Sequence, residues 1–275
     1  MKKIFALALC AVMLFTCAFS LASCSKTYIG VQSGTTGQYF VDGDADWGFD
    51  GLKGYMSKGY SNAGLAVNDM KNGAVKYVIV DKAPALQLAK SIEGIKVVEV
   101  DLTEEEYAFG VDKAQADLLA SINNVLATKT AEIEAIFAKY AKGEGIEGIA
   151  TAEKDIDRAA QQLVVATNAE FAPFEYTEGN KYAGIDIEIM KLVADELGLE
   201  LVIENMDFDA VVTSVGKNGV DVAAAALTVN ETRAQSVNFS TSYYNAAQVL
   251  VVLEADYAAF ENCTTAADVL AALGQ

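Results

Sequence analysis

The chain has 275 residues, 52% of them hydrophobic, which is enough to bury one large core or the cores of two lobes. Its formal net charge of −18 excludes a nucleic-acid-binding surface, which needs an excess of lysine and arginine. Histidine is absent, which excludes histidine-based catalytic triads and histidine-ligated zinc. We expect neither a metal site nor a cofactor.

The first 23 residues have the pattern of a secretory signal peptide. Lys2 and Lys3 precede an uncharged apolar run from residue 4 to about residue 21. A membrane-spanning anchor is the alternative, because the run is close to the roughly 20 residues that a spanning helix needs. The ending LASC favours the signal, since it resembles a bacterial lipobox. We therefore expect Cys24 to be acylated and to hold the mature chain on the extracellular face of the membrane, or in the periplasm of a Gram-negative cell.

After the signal, short apolar strands alternate with amphipathic helices, which predicts parallel sheets in α/β lobes. The predicted strands cover residues 28–32, 75–80, 96–100, 163–167, 199–204, 220–227 and 248–253. Apolar residues at near-helical spacing in 114–140 predict two helices that break around residues 128–130. A further helix runs from Ile185 to a stop at Gly198. Residues 141–161 have weak periodicity and are predicted as a linker or a short loose helix.

Several of these segments resemble a known family. Residues 162–248 contain LVVATNAEFAPFEY, KYAGIDIEIMKLVADELGL, NGVDVAAAALTVNETR and VNFSTSYYNAAQ, which resemble the bacterial extracellular solute-binding proteins, family 3. Residues 27–140 resemble the rest of that family through YIGVQSGTTG, AVNDMKNGAVKYVIVDKAPA and EEEYAFGVDKAQADLL. The resemblance implies a two-lobed α/β fold of the type II periplasmic-binding-protein kind, with parallel-dominated sheets and a hinge of two strands.

The order of the two parts is exchanged relative to that family. Each family element occurs once, so a circular permutation explains the chain better than a duplication; a genomic fragment or a misread frame is the alternative. Joining the old ends of a lobe and opening a loop is tolerated when the ends lie at the surface. The predicted division is residues 1–23 as signal peptide, 24–102 and 248–275 as lobe 2, and 103–247 as lobe 1, with hinge crossings near 103–107 and 243–247 and a permutation linker at 141–161.

Polar residues stand at the ends of four predicted strands. Gln32, Asp81, Asn168 and Thr228 each end or follow an apolar run. In open α/β sheets, ligands bind beyond the carboxyl ends of the strands. One such residue alone is an ordinary turn residue, but their recurrence in both predicted lobes favours a shared cleft.

An amino-acid ligand needs a cation for its carboxylate and an anion for its ammonium group. Arg233 follows a predicted helix cap at Asn230, so its charge opposes the helix dipole, and a bound anion would explain this placement. The alternative is a surface arginine paired with an acid such as Glu231. Asp81 leaves a buried strand and is the candidate for the ammonium group, with helix capping as its alternative role.

The resemblance implies further site residues. Phe171 and Phe208 match aromatic residues that sandwich the ligand in the family, although the bare sequence suggests core packing. Thr228 would join Arg233 on the carboxylate, Ala226 would line the wall, and the loop with Thr35 and Thr36 would supply amide donors. That loop lacks the Gly-Lys-Ser/Thr of a nucleotide-binding loop.

Selectivity for the ligand side chain is assigned to Asn168 and Gln32. Both are neutral, which favours a polar, uncharged amino acid, while Glu170 leaves a basic one open.

The implied function is binding of a free amino acid by hinge closure and delivery to an ABC permease, by a monomer anchored through Cys24. A sensory receptor without transport is one alternative. A cleft enzyme, a dehydratase or lyase, is another, and it would need an acid or base in the cleft, for which Glu170 is the evident candidate. We predict no enzymatic activity.

Overall fold

The structure is a computed structural model that describes residues 26–275, so the predicted signal peptide and the predicted lipidation at Cys24 lie outside the described residues. The strands of the described chain are β1 Thr27–Gln32, β2 Tyr55–Tyr60, β3 Tyr77–Asp81, β4 Ile95–Val98, β5 Glu105–Tyr107, β6 Gly110–Val111, β7 Gln162–Thr167, β8 Glu170–Phe171, β9 Glu175–Glu178, β10 Lys181–Ala183, β11 Glu200–Asn205, β12 Val222–Ala223, β13 Asn238–Phe239, β14 Tyr244–Ala246 and β15 Gln248–Leu253. The helices are α1 Thr36–Asp42, α2 Ala63–Lys71, α3 Lys82–Ser91, α4 Ala116–Thr128, α5 Thr130–Lys142, α6 Ile185–Leu197, α7 Phe208–Ser214, α8 Glu231–Ala234 and α9 Ala266–Ala272, with 3₁₀ turns at Ala45–Trp47, Ile156–Gln161 and Glu254–Ala259.

Two five-stranded sheets share one arrangement of strands. Their orders are β2-β1-β3-β15-β4 and β11-β7-β12-β6-β13. In each sheet the first three strands are parallel, and the fourth runs antiparallel to both of its neighbours. Parallel neighbours need crossover connections, and helices such as α2, between β2 and β3, supply them. The sheet with β1 belongs to lobe 2 and the sheet with β7 to lobe 1.

A two-stranded antiparallel ribbon connects the lobes. Strand β5 pairs with β14, with Tyr107 opposite Tyr244 and Glu105 opposite Ala246. The chain continues from β5 into β6 of lobe 1, and from β14 into β15 of lobe 2. The predicted two-lobed α/β fold with a two-strand hinge is therefore confirmed.

Both faces of the lobe 2 sheet are buried, as a sheet covered by helices on two sides requires. Along β3, Val78 and Val80 join the apolar cluster under α2 and α3, while Ile79 joins the cluster under α1 and α9. This alternation is the two-residue period of a strand. Strand β3 therefore contributes side chains to two apolar clusters, which explains its continuous apolar run. Asp81 is the last residue of this buried strand.

The predicted helices agree with the structure in their breaks and stops. The run 114–140 divides at Lys129, between α4 and α5. Helix α6 begins at Ile185 and ends at Gly198, whose φ of 68° is the left-handed conformation typical of a glycine cap.

The predicted strand at 220–227 is wrong in length. Only Val222 and Ala223 pair in the lobe 1 sheet, as β12. Beyond them the chain leaves the sheet and turns toward the other lobe, with Ala226 at a φ of 49°. The apolar run Ala224–Leu227 stays buried without being a strand, because Ala225 and Leu227 pack in the apolar core of lobe 1. Ala226 lines a cavity between the lobes.

The segment 141–161 lies against lobe 1. Helix α5 extends into it as far as Lys142, Ile149 forms an isolated bridge with Tyr182, and Ala152 forms another with Val202. The segment therefore follows the edges of β10 and β11 before it enters β7 and, as predicted, contains little regular structure.

Candidate functional site

Eight of the predicted ligand-binding residues surround one small cavity between the lobes, with a volume of about 10 Å³. They are Thr35, Thr36 and Asp81 from lobe 2 and Phe171, Phe208, Ala226, Thr228 and Arg233 from lobe 1. The other two predicted residues meet across the cleft, where Nε2 of Gln32 donates to Oδ1 of Asn168 at 2.8 Å. The structure thus brings both sets together beyond the carboxyl ends of β1, β3 and β7.

Arg233 is a buried cation that is 8% exposed. Its backbone N–H donates to the Asn230 side chain at 2.8 Å, which is the predicted helix cap. Its guanidinium donates from Nη1 to the carbonyl of Thr228 at 2.9 Å and from Nη2 to the carbonyl of Gly34, in the other lobe, at 3.2 Å. Burial lowers the pKa of Arg233 to about 10. Because both acceptors are neutral, the guanidinium can still pair with an anion. Since Arg233 is buried, the alternative of a surface ion pair with Glu231 is wrong.

Aromatic rings from opposite lobes cover the guanidinium of Arg233. Its central carbon lies 5.0 Å from the centre of the Trp47 ring and 5.3 Å from that of Phe208. Trp47 in turn stacks on Tyr39, with ring centres 4.4 Å apart. Such cation–π contacts leave hydrogen bonding to the plane of the guanidinium. Sequence reasoning missed Trp47, because nothing around a lone tryptophan in the Gly- and Asp-rich loop indicates a contact with the other lobe.

Asp81 is a buried carboxylate, 5% exposed, on the lobe 2 side of the cavity. It stands at the cap position of α3, but its side chain makes no capping hydrogen bond and instead accepts one from the hydroxyl of Tyr107. Burial, and secondarily the nearby Glu105, raises the pKa of Asp81 to about 7. The alternative role of Asp81 as a helix cap is therefore wrong.

Glu105, on the hinge strand β5, is a buried carboxylate that sequence reasoning did not select. Its Oε2 accepts from the hydroxyls of Thr36 at 2.7 Å and Thr228 at 2.6 Å. A hydroxyl has a single proton, so a Thr228 hydroxyl that donates to Glu105 has none left for a ligand carboxylate. Glu105 stands in a run of three glutamates, 104–106, and the sequence does not indicate which of the three is buried. The two-residue period of the strand determines that it is Glu105.

The backbone conformation of Ala226 is held by a second buried carboxylate. Oδ2 of Asp186, at the start of α6, accepts from the N–H of Ala226 at 2.9 Å, and Oδ1 accepts from the hydroxyl of Tyr243 at 2.6 Å. Burial raises the pKa of Asp186 to about 7. Asp186 thus supports the cavity wall from behind and connects it to the segment that enters the hinge.

Gln32 and Asn168 bond to each other across the cleft, and Asn168 also bonds to its own lobe. Both are buried, at 2% and 4% exposure, and Nδ2 of Asn168 donates to the carbonyl of Met206 at 2.8 Å. Within residues 26–275, Oε1 of Gln32 is buried and accepts no hydrogen bond. An acceptor in this state is costly unless a donor reaches it.

Phe171 lies between the cavity and a larger groove at its mouth. The residues that line the groove include Ala63 and Leu88 from lobe 2 and Tyr176 from lobe 1. At its edge the side-chain amide of Asn62 donates to Glu170, which ties the lobes together at the entrance. Glu170, the candidate acid or base, is exposed and engaged in this bond.

No helix between residues 26 and 275 is long and apolar enough to cross a membrane. In the same part of the chain, three or more cysteine, aspartate or glutamate side chains never come together in a way that could hold a metal ion.

Comparison with known proteins finds similarity in part of the chain. Residues 163–268 match the model of the bacterial extracellular solute-binding proteins, family 3. The chain is 34% identical over 91 residues to the arginine-binding extracellular protein ArtP of Bacillus subtilis, which covers 33% of this chain and 36% of that protein. It is also 28% identical over 112 residues to a cyclohexadienyl dehydratase of Pseudomonas aeruginosa, covering 40% of this chain and 42% of the relative. Residues 163–268 are thus similar to the bacterial extracellular solute-binding proteins, family 3.

The similarity covers only part of each chain. The chain spans roughly a third of the length of ArtP, the first of these relatives. Among solved structures, a truncated arginine-binding protein from T. maritima in its arginine-bound form is 33% identical, with a TM-score of 0.30 over 32% of this chain and 42% of that one. That score is too low to support any inference about the whole molecule.

Proposed function

We propose that this protein is an extracellular receptor for a free amino acid that closes its two lobes on the ligand and delivers it to an ABC permease. One observation carries the proposal. Arg233 of lobe 1 and Asp81 of lobe 2 are buried, opposite in charge, and line the same cavity. Buried charges need partners, and a zwitterion offers one to each.

The contacts of Arg233 and Asp81 suggest how the ligand is oriented. The carboxylate would take the free N–H groups of Arg233 and the backbone N–H of Thr228, which donates to no other group within residues 26–275. The ammonium group would pair with Asp81. Phe171 and Phe208 would enclose the aliphatic carbons of the ligand.

The side chain of the ligand is expected to be polar. The buried Oε1 of Gln32 lacks a donor within the described chain and would be satisfied by an N–H or O–H group. The preference for an uncharged amino acid stays a prediction, since Gln32 and Asn168 already bond to each other. The relative ArtP is named as arginine-binding, and a basic side chain is the competing result.

Closure would follow from contacts that span the cleft. The Gln32–Asn168 bond, the bond from Arg233 to the carbonyl of Gly34 and the Asn62–Glu170 bond each join the lobes. A ligand shifts the population toward the closed form only by the contacts that it makes in that form. The closed form, held to the membrane through lipid on Cys24, would then dock on the permease.

An enzyme is the second candidate, because one relative is named as a cyclohexadienyl dehydratase. Asp81, with a pKa of about 7, is the cavity residue best suited to transfer a proton. We infer binding rather than catalysis, so an amino acid incubated with the protein should be recovered unchanged by mass spectrometry. Conversion of the amino acid would establish the enzyme instead.

A thermal-shift screen of residues 26–275 against the twenty common L-amino acids tests the proposed function. An amino acid that binds should raise the melting temperature, because it stabilises the folded state. At one hundred times its Kd, the free energy of unfolding rises by about 2.7 kcal/mol. Arg233→Ala should abolish the shift, because a buried bidentate partner of the carboxylate is lost. Lys113→Ala is the matched control, since Lys113 bonds the carbonyl of Gln235 on the surface. A screen without any shift would overturn the proposed function.

A further inference from the structure

Glu105 is a buried side chain at the site that accepts four hydrogen bonds, and none of the proposed ligand contacts involves it. It is 7% exposed, on the hinge strand that connects the lobes. Its Oε2 accepts from Thr36 of lobe 2 and Thr228 of lobe 1, and its Oε1 accepts from Thr103 at 2.6 Å and from Nε2 of Gln248 at 3.0 Å. Four donors saturate a carboxylate, which has about four acceptor positions.

These bonds determine what the two cavity hydroxyls can offer a ligand. A threonine hydroxyl has one proton to donate and two lone pairs to accept with. Thr36 and Thr228 both line the cavity. The Thr36 hydroxyl can donate to Oε2 of Glu105 at 2.7 Å or to the Thr228 hydroxyl at 3.2 Å, and the shorter contact with the carboxylate is the stronger. The Thr228 hydroxyl donates to Oε2 of Glu105 at 2.6 Å. Toward the cavity they therefore present acceptors, which attract an ammonium group and repel a carboxylate.

We propose that Glu105 is a positioning residue that makes the cavity selective for ligands with a free α-ammonium group. By holding the protons of Thr36 and Thr228, it turns one hydroxyl from each lobe into an acceptor beside Asp81. The three N–H donors of an ammonium group then meet Asp81 and the two hydroxyls. The inference rests on the proposed function, because it concerns the same ligand.

The residues around Glu105 allow its role to be separated from plain structural support. Glu105→Met keeps the length of the side chain but removes both acceptors, so the hydroxyl protons are released toward the cavity. Glu105→Gln keeps one acceptor oxygen for the two hydroxyls, and its amide can turn toward Oε1 of Gln248, which accepts no bond within the described chain. Glutamine should therefore rescue selectivity where methionine does not.

The test measures affinity for paired ligands by calorimetry. Each amino acid that binds in the screen is compared with the same molecule without its amino group; for arginine this is 5-guanidinopentanoic acid, and for glutamine 4-carbamoylbutanoic acid. We expect Glu105→Met to weaken binding of the amino acid about 10- to 100-fold and binding of the deaminated partner less than about threefold. Glu105→Gln should recover most of the lost preference.

Two further variants keep the test decisive. Glu106→Gln makes a comparable change on the neighbouring, exposed residue of the same strand and should change neither affinity. Thr228→Val removes one hydroxyl, should show the same selective loss, and replaces Glu105→Met if that variant does not fold. Equal weakening of both ligands, or no weakening of either, by Glu105→Met and Thr228→Val would overturn the role of Glu105. Failure of the wild-type chain to bind any amino acid would instead overturn the proposed function.

Discussion

Arg233 and Asp81 hold opposite charges inside the protein without pairing with each other. Arg233 donates to two carbonyl groups, and Asp81 accepts from a tyrosine hydroxyl. Hydrogen bonds of this kind offset part of the desolvation of a buried charge, but an ion offsets more. The two residues come from different lobes, so a ligand that satisfies both also favours closure.

The raised pKa of Asp81 predicts that affinity depends on pH. With the lobes in contact, as in this structure, this pKa is about 7, and only the ionised carboxylate attracts an ammonium group. Affinity for an amino acid should therefore be highest above pH 7 and fall by about tenfold per pH unit below it, since the competent fraction falls by that factor. Arg233, with a pKa of about 10, stays charged over this range.

Calorimetry at pH 5.5, 6.5 and 8.0 would measure this dependence. Asp81→Asn is the matched control, since an amide does not titrate, and it should bind weakly with no slope between these pH values. Equal affinity of the wild-type chain at all three pH values would show that Asp81 does not contact the ammonium group.

The site residues that were predicted share a position that a sequence can reveal. Asp81 follows an apolar strand directly, and Arg233 stands three residues after a cap. Glu105 and Trp47 gave no such signal, because their roles depend on which residues of the other lobe they meet. Contacts between distant segments, such as Glu105 with Thr228, are set by the hinge and not by local pattern.

At the scale of elements, the 3₁₀ turn Ala45–Trp47 of lobe 2 meets helix α8 of lobe 1. The contact consists of the Trp47 ring over Arg233, with Tyr39 behind it. Trp47 is the only tryptophan in the sequence. Its fluorescence should therefore report closure of the lobes without a label.

We predict that a binding amino acid changes the fluorescence of Trp47 and that Trp47→Leu weakens binding. A cation–π contact of about 0.5–2 kcal/mol corresponds to about 2- to 30-fold in affinity. Because the contact joins the two lobes, its loss should raise the dissociation rate more than it lowers the association rate, as stopped-flow kinetics would measure. Trp47→Phe should keep most of the affinity.

The Arg233→Ala variant provides the control for the fluorescence change. It lacks the cation and the proposed ligand contact, so added amino acid should leave its Trp47 emission unchanged. A wild-type emission that does not respond to a binding amino acid would contradict a closure that involves this turn.

Elements with strong apolar periodicity were predicted well, and short edge elements were not. Helices α4, α5 and α6 each bury one regular face, so their breaks and stops could be predicted from the sequence. The three-stranded sheet β8–β10 was missed, because its strands have two to four residues and one buried side chain each at most. Strand β2 was missed as well, since an edge strand with a mostly half-exposed pattern has no clear alternation.

At the scale of the whole molecule, the circular permutation stays a proposal, and the positions of the chain ends support it. The backbone N–H of Thr27 donates to Gly54, and the side chain of Gln275 accepts from the N–H of Lys53, so the two ends of the described chain lie beside one segment. The proposed linker 141–161 lies along lobe 1 between α5 and β7. A chain whose present ends are joined, and which is opened within 141–161 instead, would keep every sheet.

A reordered chain tests this permutation. It would begin at Ile146, pass from Gln275 through a short Gly-Ser linker to Lys26, and end at Gly145, a surface position with a φ of 68°. We expect the same fold by circular dichroism and an amino-acid affinity within about threefold of the original. The matched control opens the chain inside β15, between Val251 and Val252, and should not fold. Loss of folding in the first variant would show that the present order is required.

A crystal structure of residues 26–275 with an amino acid selected by the screen would test the central claim most directly. The account predicts one ligand in the cavity between the lobes, with its carboxylate on Arg233 and its ammonium group on Asp81. A ligand bound elsewhere, or bound in this cavity with Arg233 and Asp81 both out of contact, would contradict it.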